Sequence, residues 1–486
     1  MHAPVRDRGA MLPIVLVVTA VLSMSVIGIA GYVATDLRYG RVTMDRADRL
    51  AATDAVMNYA IDQLKLRNAG CLLSSNGPRA LPGLNSPVNG ASTTVTCERA
   101  GGGIGDIQAW AAVMTGIGVP SNSYLLSSQS GNGGLDKLLG GPVYMDRVTT
   151  NSFSLGPNVK IKDGPLFYHD ATCATPATAA SLPSQLFFEP NLIYGPICST
   201  ENWTTATVGA DPVVPNLSLL PPNPLPTTTG SCQVFSPGVY TAFPNLSSNV
   251  YFRSGDYYLL NVAFTIDQSN VTAGYPDPSI VTAPELPISP DCQTAMAADP
   301  NKVAPNLGAT FYLGGTSNIS IQTQGSLEIM PRLHGANYVS IHALCSTTNP
   351  ATAAGCDQTG GPTGVPSLLT ATGAQPIVYT DPGNNKQLIT HGLFYAPTGR
   401  LEFGNATNTA KQEVMGGLVV ARLVLQSSAS ASNFKISVAT SPVNYKVVLV
   451  ASATKNGTTK IRAVVDYRPY EALLANRLAI SSWWVI

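Results

Sequence analysis

The sequence predicts a mainly β protein carried on a long N-terminal α-helix. Three observations point there: an uncharged apolar run near the start, many short alternating segments punctuated by Gly, Pro and Asn, and an internal repeat late in the chain. With 486 residues the chain can bury a large core, and its charged fraction is only 12% with zero net charge. No basic face is available to displace phosphate counterions, which argues against a nucleic-acid partner.

The first nine residues form a short cytoplasmic N-terminus containing Arg6 and Arg8, and residues 10–34 contain no charged side chain. As a helix these 25 positions reach about 37 Å, more than a hydrocarbon core of about 30 Å. A cleavable signal peptide ending at Gly28-Ile29-Ala30 is the alternative, but its apolar core would be only about 7–15 residues long. Arg38, Arg41, Arg46 and Arg49 follow the span, so basic-residue counting alone favours the reverse orientation. The Pro- and Cys-rich body nevertheless places the N-terminus inside and the body outside. Residues 35–68 continue as an amphipathic helix with Leu50, Met57, Ile61 and Leu64 on one stripe, ended by Asn68 and Gly70.

Arg8-Gly9-Ala10-Met11-Leu12, the apolar run and the stretch Ala51–Ala60 (Ala-Ala-Thr-Asp-Ala-Val-Met-Asn-Tyr-Ala) resemble the N-terminal region of PilX-type minor pilins of type IV pilus systems. The resemblance covers about the first seventy residues. It implies a half-helix held in the membrane before assembly and in a filament core afterwards, a second half seating the globular part, processing between Gly9 and Ala10, and pilus assembly proteins or other pilin-like subunits as partners. A typical type IV prepilin carries Glu at the fifth mature position, where cleavage after Gly9 puts Ile14.

Residues 69–140 read as loop-rich, with Gly101–Gly105 as a flexible turn before a short helix over Asp106–Met114. Between 141 and 441 the alternating segments suggest a β-solenoid, with a β-sandwich as the alternative. The repeat Leu393/Leu418 has an offset of 25 residues, the length of one solenoid coil. Pro-rich insertions at about 211–230 and 282–306 read as extended surface loops. Residues 442–486 form a hairpin around Asn456-Gly457 that is expected to cap the last coil, with Trp483, Trp484 and Ile486 packed on it.

The eight cysteines, Cys71, Cys97, Cys173, Cys198, Cys232, Cys292, Cys345 and Cys356, form no CxxC pair and suit disulfides in an exported body. Nearest-neighbour pairing would join 71–97, 173–198, 232–292 and 345–356, although spacing leaves connectivity open. No nucleophile elbow, zinc-protease or phosphate-loop motif occurs, and neither a cofactor nor a metal ligand set is suggested. The five histidines, including His169 beside Asp170, read as dispersed surface residues. Asp256, Glu328 and Glu402 lie on expected strands and would serve a carbohydrate-active enzyme if coil stacking joined them on one face. The leading expectation is instead a membrane-anchored pilin-like surface protein without catalytic residues, its β-rich body structural or adhesive. A stand-alone anchored adhesin is the rival, and a surface glycan or host ligand is left open.

Overall fold

The computed structural model describes residues 11–65, 79–81, 87–99, 110–117, 119, 121–128, 137–149, 151–156, 159–162, 164–170, 177, 182–189, 196–199, 212–216, 219–315, 317–322, 324–343, 378–380, 387–404, 411–425, 433–438, 445–468 and 478–486. The chain is mainly β, with one long helix at its start.

That helix is continuous over Met11–Lys65. Its serine and threonine hydroxyls bond back to the carbonyl four residues earlier, as Thr19 does to Val15, Ser23 to Thr19 and Thr35 to Gly31. The polar groups of an apolar helix are thereby satisfied within the helix itself, as a lipid environment demands. Buried residues begin only at Ala52 and run through Thr53, Val56, Met57, Ala60, Ile61 and Leu64, a stripe with helical spacing. Leu50, expected on that stripe, is 44% exposed and lies off it.

The stripe seats on a five-stranded antiparallel sheet, the head sheet, made from both ends of the chain. Its order is Arg79–Ala80, Ser92–Arg99, Tyr445–Thr454, Thr458–Tyr467 and Leu478–Val485. Asn456 and Gly457 turn the central hairpin with positive φ (50° and 138°), the conformation that an Asn-Gly pair tolerates. Ser92–Arg99 falls within the expected loop-rich segment, yet all eight of its residues pair with Val447–Thr454. The hairpin packs on the flank of the parallel strands, against Leu393, Tyr395, Val419 and Val113, and not over their end. Its face of Val447, Leu449, Ala451, Ile461, Ala463, Val465 and Tyr467 packs with the helix stripe and with the flank of the body, because its edges are extended sideways by strands from either end of the chain. Trp483 packs partly against this cluster, whereas Trp484 is 38% and Ile486 is 64% exposed.

The body, which comes between the two contributions to the head sheet in sequence, consists of three faces of predominantly parallel strands. One face runs Cys232–Phe235, Asn249–Phe252, Asn270–Ala273, Ser326–Ile329, Gln387–Thr390, Lys411–Met415, Asn433–Ser437, then Lys137–Gly140, Val159–Lys162 and Leu186–Glu189. A second runs from Gly238–Tyr240 through Leu393–Phe403 and Leu418–Leu425 to Ala112–Met114 and Ile197–Ser199. The third includes Ala263–Asp267, Asn318–Gln322, Val378–Thr380 and Leu126–Ser128. Side chains from the three faces meet in one core, in which Phe235 stacks on Phe252 at 4.6 Å and Phe243 on Phe264 at 4.5 Å.

Stacking order departs from chain order. The strands from Ala112–Met114 to Ile197–Ser199 stack beyond Asn433–Ser437, at the opposite end of the faces from Thr227–Thr229. The ten parallel strands of the eleven-stranded first face make nine steps, about 43 Å at about 4.8 Å per step. The 28 residues from 199 to 227 can extend to about 90 Å. Within this return Val214 and Leu220 lie over Val239, Tyr258 and Tyr312 on the second face. Its end is no longer loop, since Thr227–Thr229 pairs antiparallel with Cys232–Phe235.

Other expectations change as well. Ala112–Met114 is a buried strand rather than the end of a helix, because Trp110–Met114 is apolar on every side and carries no helical period; residues 106–109 lie outside the described residues. The insertion at 282–306 contains a helix, Pro290–Ala297, capped by Ser289. The repeat pairs Phe394 with Leu418 and Leu401 with Leu423, offsets of 24 and 22 (418 − 394, 423 − 401), because an irregularity between Ala396 and Arg400 absorbs extra residues. Leu393 consequently points to the flank and Phe394 to the core, the inversion that a one-residue register change produces.

Candidate functional site

The three carboxylates proposed for catalysis are not brought together. Asp256 sits on the second face, with Oδ1 3.0 Å from His334 Nε2 and 3.6 Å from Arg332 Nε. Glu328 is fully buried on the first face, where it accepts bonds from the backbone N–H groups of Glu285 and Leu286, both at 2.8 Å, and lies 2.7 Å from His391 Nε2. Glu402, on the third face, pairs with Arg400 at 2.6 Å. Each carboxylate holds a local piece of fold. Glu328 pins the insertion to the first face, helped by the Lys411–Glu285 pair at 2.7 Å.

The histidines are less superficial than their dispersal suggests. His334, His342 and His391 are all buried, while His169 is half-buried and His2 lies outside the described residues. His342 belongs to an outward row on the second face, Val239, Tyr258, Tyr312, His342, Tyr395, Val419, Val113, Tyr144, Phe167 and Ile197, in register from strand to strand. The return segment covers one end of this row, the head sheet and long helix cover the other, and His342 lies between Tyr312 (5.6 Å) and Tyr395 (4.9 Å). Burial, reinforced by His334, pushes its pKa down to about 3, so it is neutral. Sequence reasoning missed this because the covering segments come from distant parts of the chain. Among the described residues no cluster of three or more His, Cys, Asp or Glu is arranged to hold a metal ion.

Cys232 and Cys292 form a disulfide with a Cα–Cα distance of 5.1 Å, tying the inserted helix to the strand Cys232–Phe235. Cys97 and Cys198 are also disulfide-bonded. Cys71, Cys173, Cys345 and Cys356 lie outside the described residues, as do Gly9 and Ala10.

The most distinctive surface is the long helix. Met11 through Met44 leaves every side chain exposed, including Ile14, Leu16, Val21, Leu22, Ile27 and Val33, and this part is long and apolar enough to cross a membrane. Where exposure ends, the hairpin tip is fastened to the helix. Lys455 Nζ lies 2.6 Å from Asp48 and 3.5 Å from Asp45, and Asn456 donates to Asp45 at 2.9 Å. Arg49 donates to the Lys455 carbonyl at 2.6 Å and to Thr459 Oγ1 at 3.3 Å. The Asn456 hydrogen bond, with Lys455 beside it, lowers the Asp45 pKa, and the bond to Asp48 raises that of Lys455. No family model, curated protein or solved structure matches this chain. The continuous helix divides into an exposed apolar half and a half packed on a sheet, with the hairpin tip fastened between them, an arrangement suited to holding the body at a fixed distance from whatever covers the apolar half.

Proposed function

We propose that the chain is a membrane-anchored, exported, pilin-like surface subunit, N-terminus inside and body outside, whose body is a β-solenoid serving as spacer or adhesive display. One observation carries this reading: a single helix whose first half is wholly exposed and apolar and whose second half is locked under a sheet made from both ends of the chain. A simple tether needs no such second half. The solenoid reading is supported by parallel in-register coils on three faces around one apolar core, where each coil buries its neighbour. The separation of Asp256, Glu328 and Glu402 favours spacing or binding over hydrolysis, which requires paired carboxylates.

Mass spectrometry of the mature N-terminus tests the proposal. A start at Ala10 supports a processed pilin-like subunit, an intact N-terminus supports the stand-alone anchored adhesin, and a start at Gly31 overturns anchoring altogether.

A further inference from the structure

Two Asn-Gly pairs meet at the joint between the long helix and the head sheet. Asn89-Gly90 turns the backbone between Val88 and Ala91, which exchange hydrogen bonds at 3.1 and 2.9 Å, and Asn456-Gly457 turns the central hairpin. Both residues of each pair hold positive φ, 51° and 70° in the first and 50° and 138° in the second, and all four are exposed. Lys455 stands beside both turns: a Cβ on Gly90 would lie 3.9 Å from its Cε, and its Nζ reaches Asp48 at 2.6 Å.

Asn-Gly is the dipeptide in which an asparagine loses its amide most readily. Glycine has no Cβ to crowd its own nitrogen, so that nitrogen, once its proton has passed to solvent base, attacks the asparagine Cγ. The N–Cγ bond forms and the Cγ–Nδ2 bond breaks, with Nδ2 taking a proton from water and leaving as ammonia. Water then opens the five-membered imide at one carbonyl or the other, giving aspartate or isoaspartate. Ring closure needs the carboxamide to turn back onto the following peptide, so a carboxamide held elsewhere reacts slowly.

Asn456 is held in this way. Its Nδ2 donates to Asp45 at 2.9 Å. The peptide that follows is crowded by Arg49, whose guanidinium lies 3.3 Å from where a Cβ on Gly457 would stand, and whose Nη1 donates to the Lys455 carbonyl at 2.6 Å and reaches the Asn456 carbonyl at 3.5 Å. Asn89 has the same backbone sign without this clamp, which makes it an internal reference within one molecule. Loss of the Asn456 amide would replace the donor to Asp45 by a carboxylate, setting like charges face to face beside Asp48. Isoaspartate would in addition lengthen the backbone of the turn.

We infer that Asn456 is a deamidation site gated by the joint between hairpin tip and helix. While the tip is fastened to Asp45 and Arg49 the reaction is held back. When the tip lifts, the reaction proceeds, and its product opposes refastening.

Peptide mapping by mass spectrometry tests this on the full chain in lipid nanodiscs, incubated in mildly alkaline buffer, with isoaspartate scored by isoaspartyl methyltransferase. Conversion at Asn456 is expected to be about ten-fold slower than at Asn89, the protection given by a local opening populated about a tenth of the time. Asp45→Ala is expected to raise the Asn456 rate about ten-fold and leave the Asn89 rate unchanged. Equal rates at the two sites in the unaltered chain, or an Asn456 rate that Asp45→Ala does not raise, would overturn the gating. A rise at both sites would assign the protection to the sheet as a whole and overturn the role of the joint, and no conversion at Asn456 in Asp45→Ala would overturn the site itself. Asn456→Asp is expected to speed hydrogen exchange over residues 45–53, and unchanged exchange there would overturn the effect on refastening.

Discussion

Replacing Glu328 separates a structural carboxylate from a catalytic one. In Glu328→Ala the backbone N–H groups of Glu285 and Leu286 and the His391 ring lose an acceptor at 2.7–2.8 Å in a fully buried site. Each stranded donor costs about 1–3 kcal/mol. Allowing for non-additivity, the variant is expected to lose about 3–6 kcal/mol, a large share of the about 5–15 kcal/mol that holds a typical domain together. Glu328→Gln keeps one acceptor oxygen but turns an amide N–H₂ toward a donor, so about half that loss is expected. Denaturant unfolding of the full chain in detergent gives the stability change, and the rate of tryptic cleavage at the exposed Lys302 reports release of the insertion. A loss under about 1 kcal/mol with no faster cleavage at Lys302 would refute the pinning role, since no desolvated acceptor would then have been removed.

Three further outcomes follow from the same geometry. His342 has its folded pKa depressed to about 3 from 6.5, so below pH 6.5 only the unfolded chain takes up its proton and stability falls with pH. The loss is expected to be about 2 kcal/mol between pH 7 and pH 5; His342→Leu should remove that part of the slope, and an unchanged slope would show that the ring is not held neutral. Cys292→Ser opens a cross-link of sequence separation 60, worth up to about 4 kcal/mol by loop entropy; calorimetry should show lower stability, and an unchanged Tm would mean that the inserted helix is held by other contacts. Gly457→Ala forces a side chain into positive φ and puts a Cβ 3.3 Å from the Arg49 guanidinium. A loss of about 1 kcal/mol or more is expected, together with faster exchange over residues 45–53, and neither would appear if the hairpin tip did not grip the helix.

The helix was legible because charge is absent from Ala10 to Ala34 and apolar spacing persists beyond it. Asn456-Gly457 announced its hairpin for the local reason that both residues accept positive φ. Leu50 misled because the seven-residue step from it to Met57 fits a stripe that the helix places slightly aside. The strand order was not legible: Ala112 pairs with Leu418 rather than with a sequence neighbour, and short apolar strands carry no mark of which strand they will meet. The same holds for Ser92–Arg99, whose alternation of Thr, Val and Cys becomes a strand only when Val447–Thr454 returns from the far end of the chain to pair with it. Among the carboxylates, residue type and strand placement were visible, but not their assignment to three different faces.

The central claim is one helix with two environments. Site-directed spin labels placed singly from residue 11 to residue 65 in bilayers, with oxygen and a water-soluble nickel chelate as relaxants, test both halves in a single profile. High oxygen and low nickel accessibility is expected across 11–34, followed beyond residue 45 by a helical periodicity with minima at 52, 53, 56, 57, 60, 61 and 64. Nickel accessibility throughout 11–34, or a flat profile beyond residue 45, would contradict it.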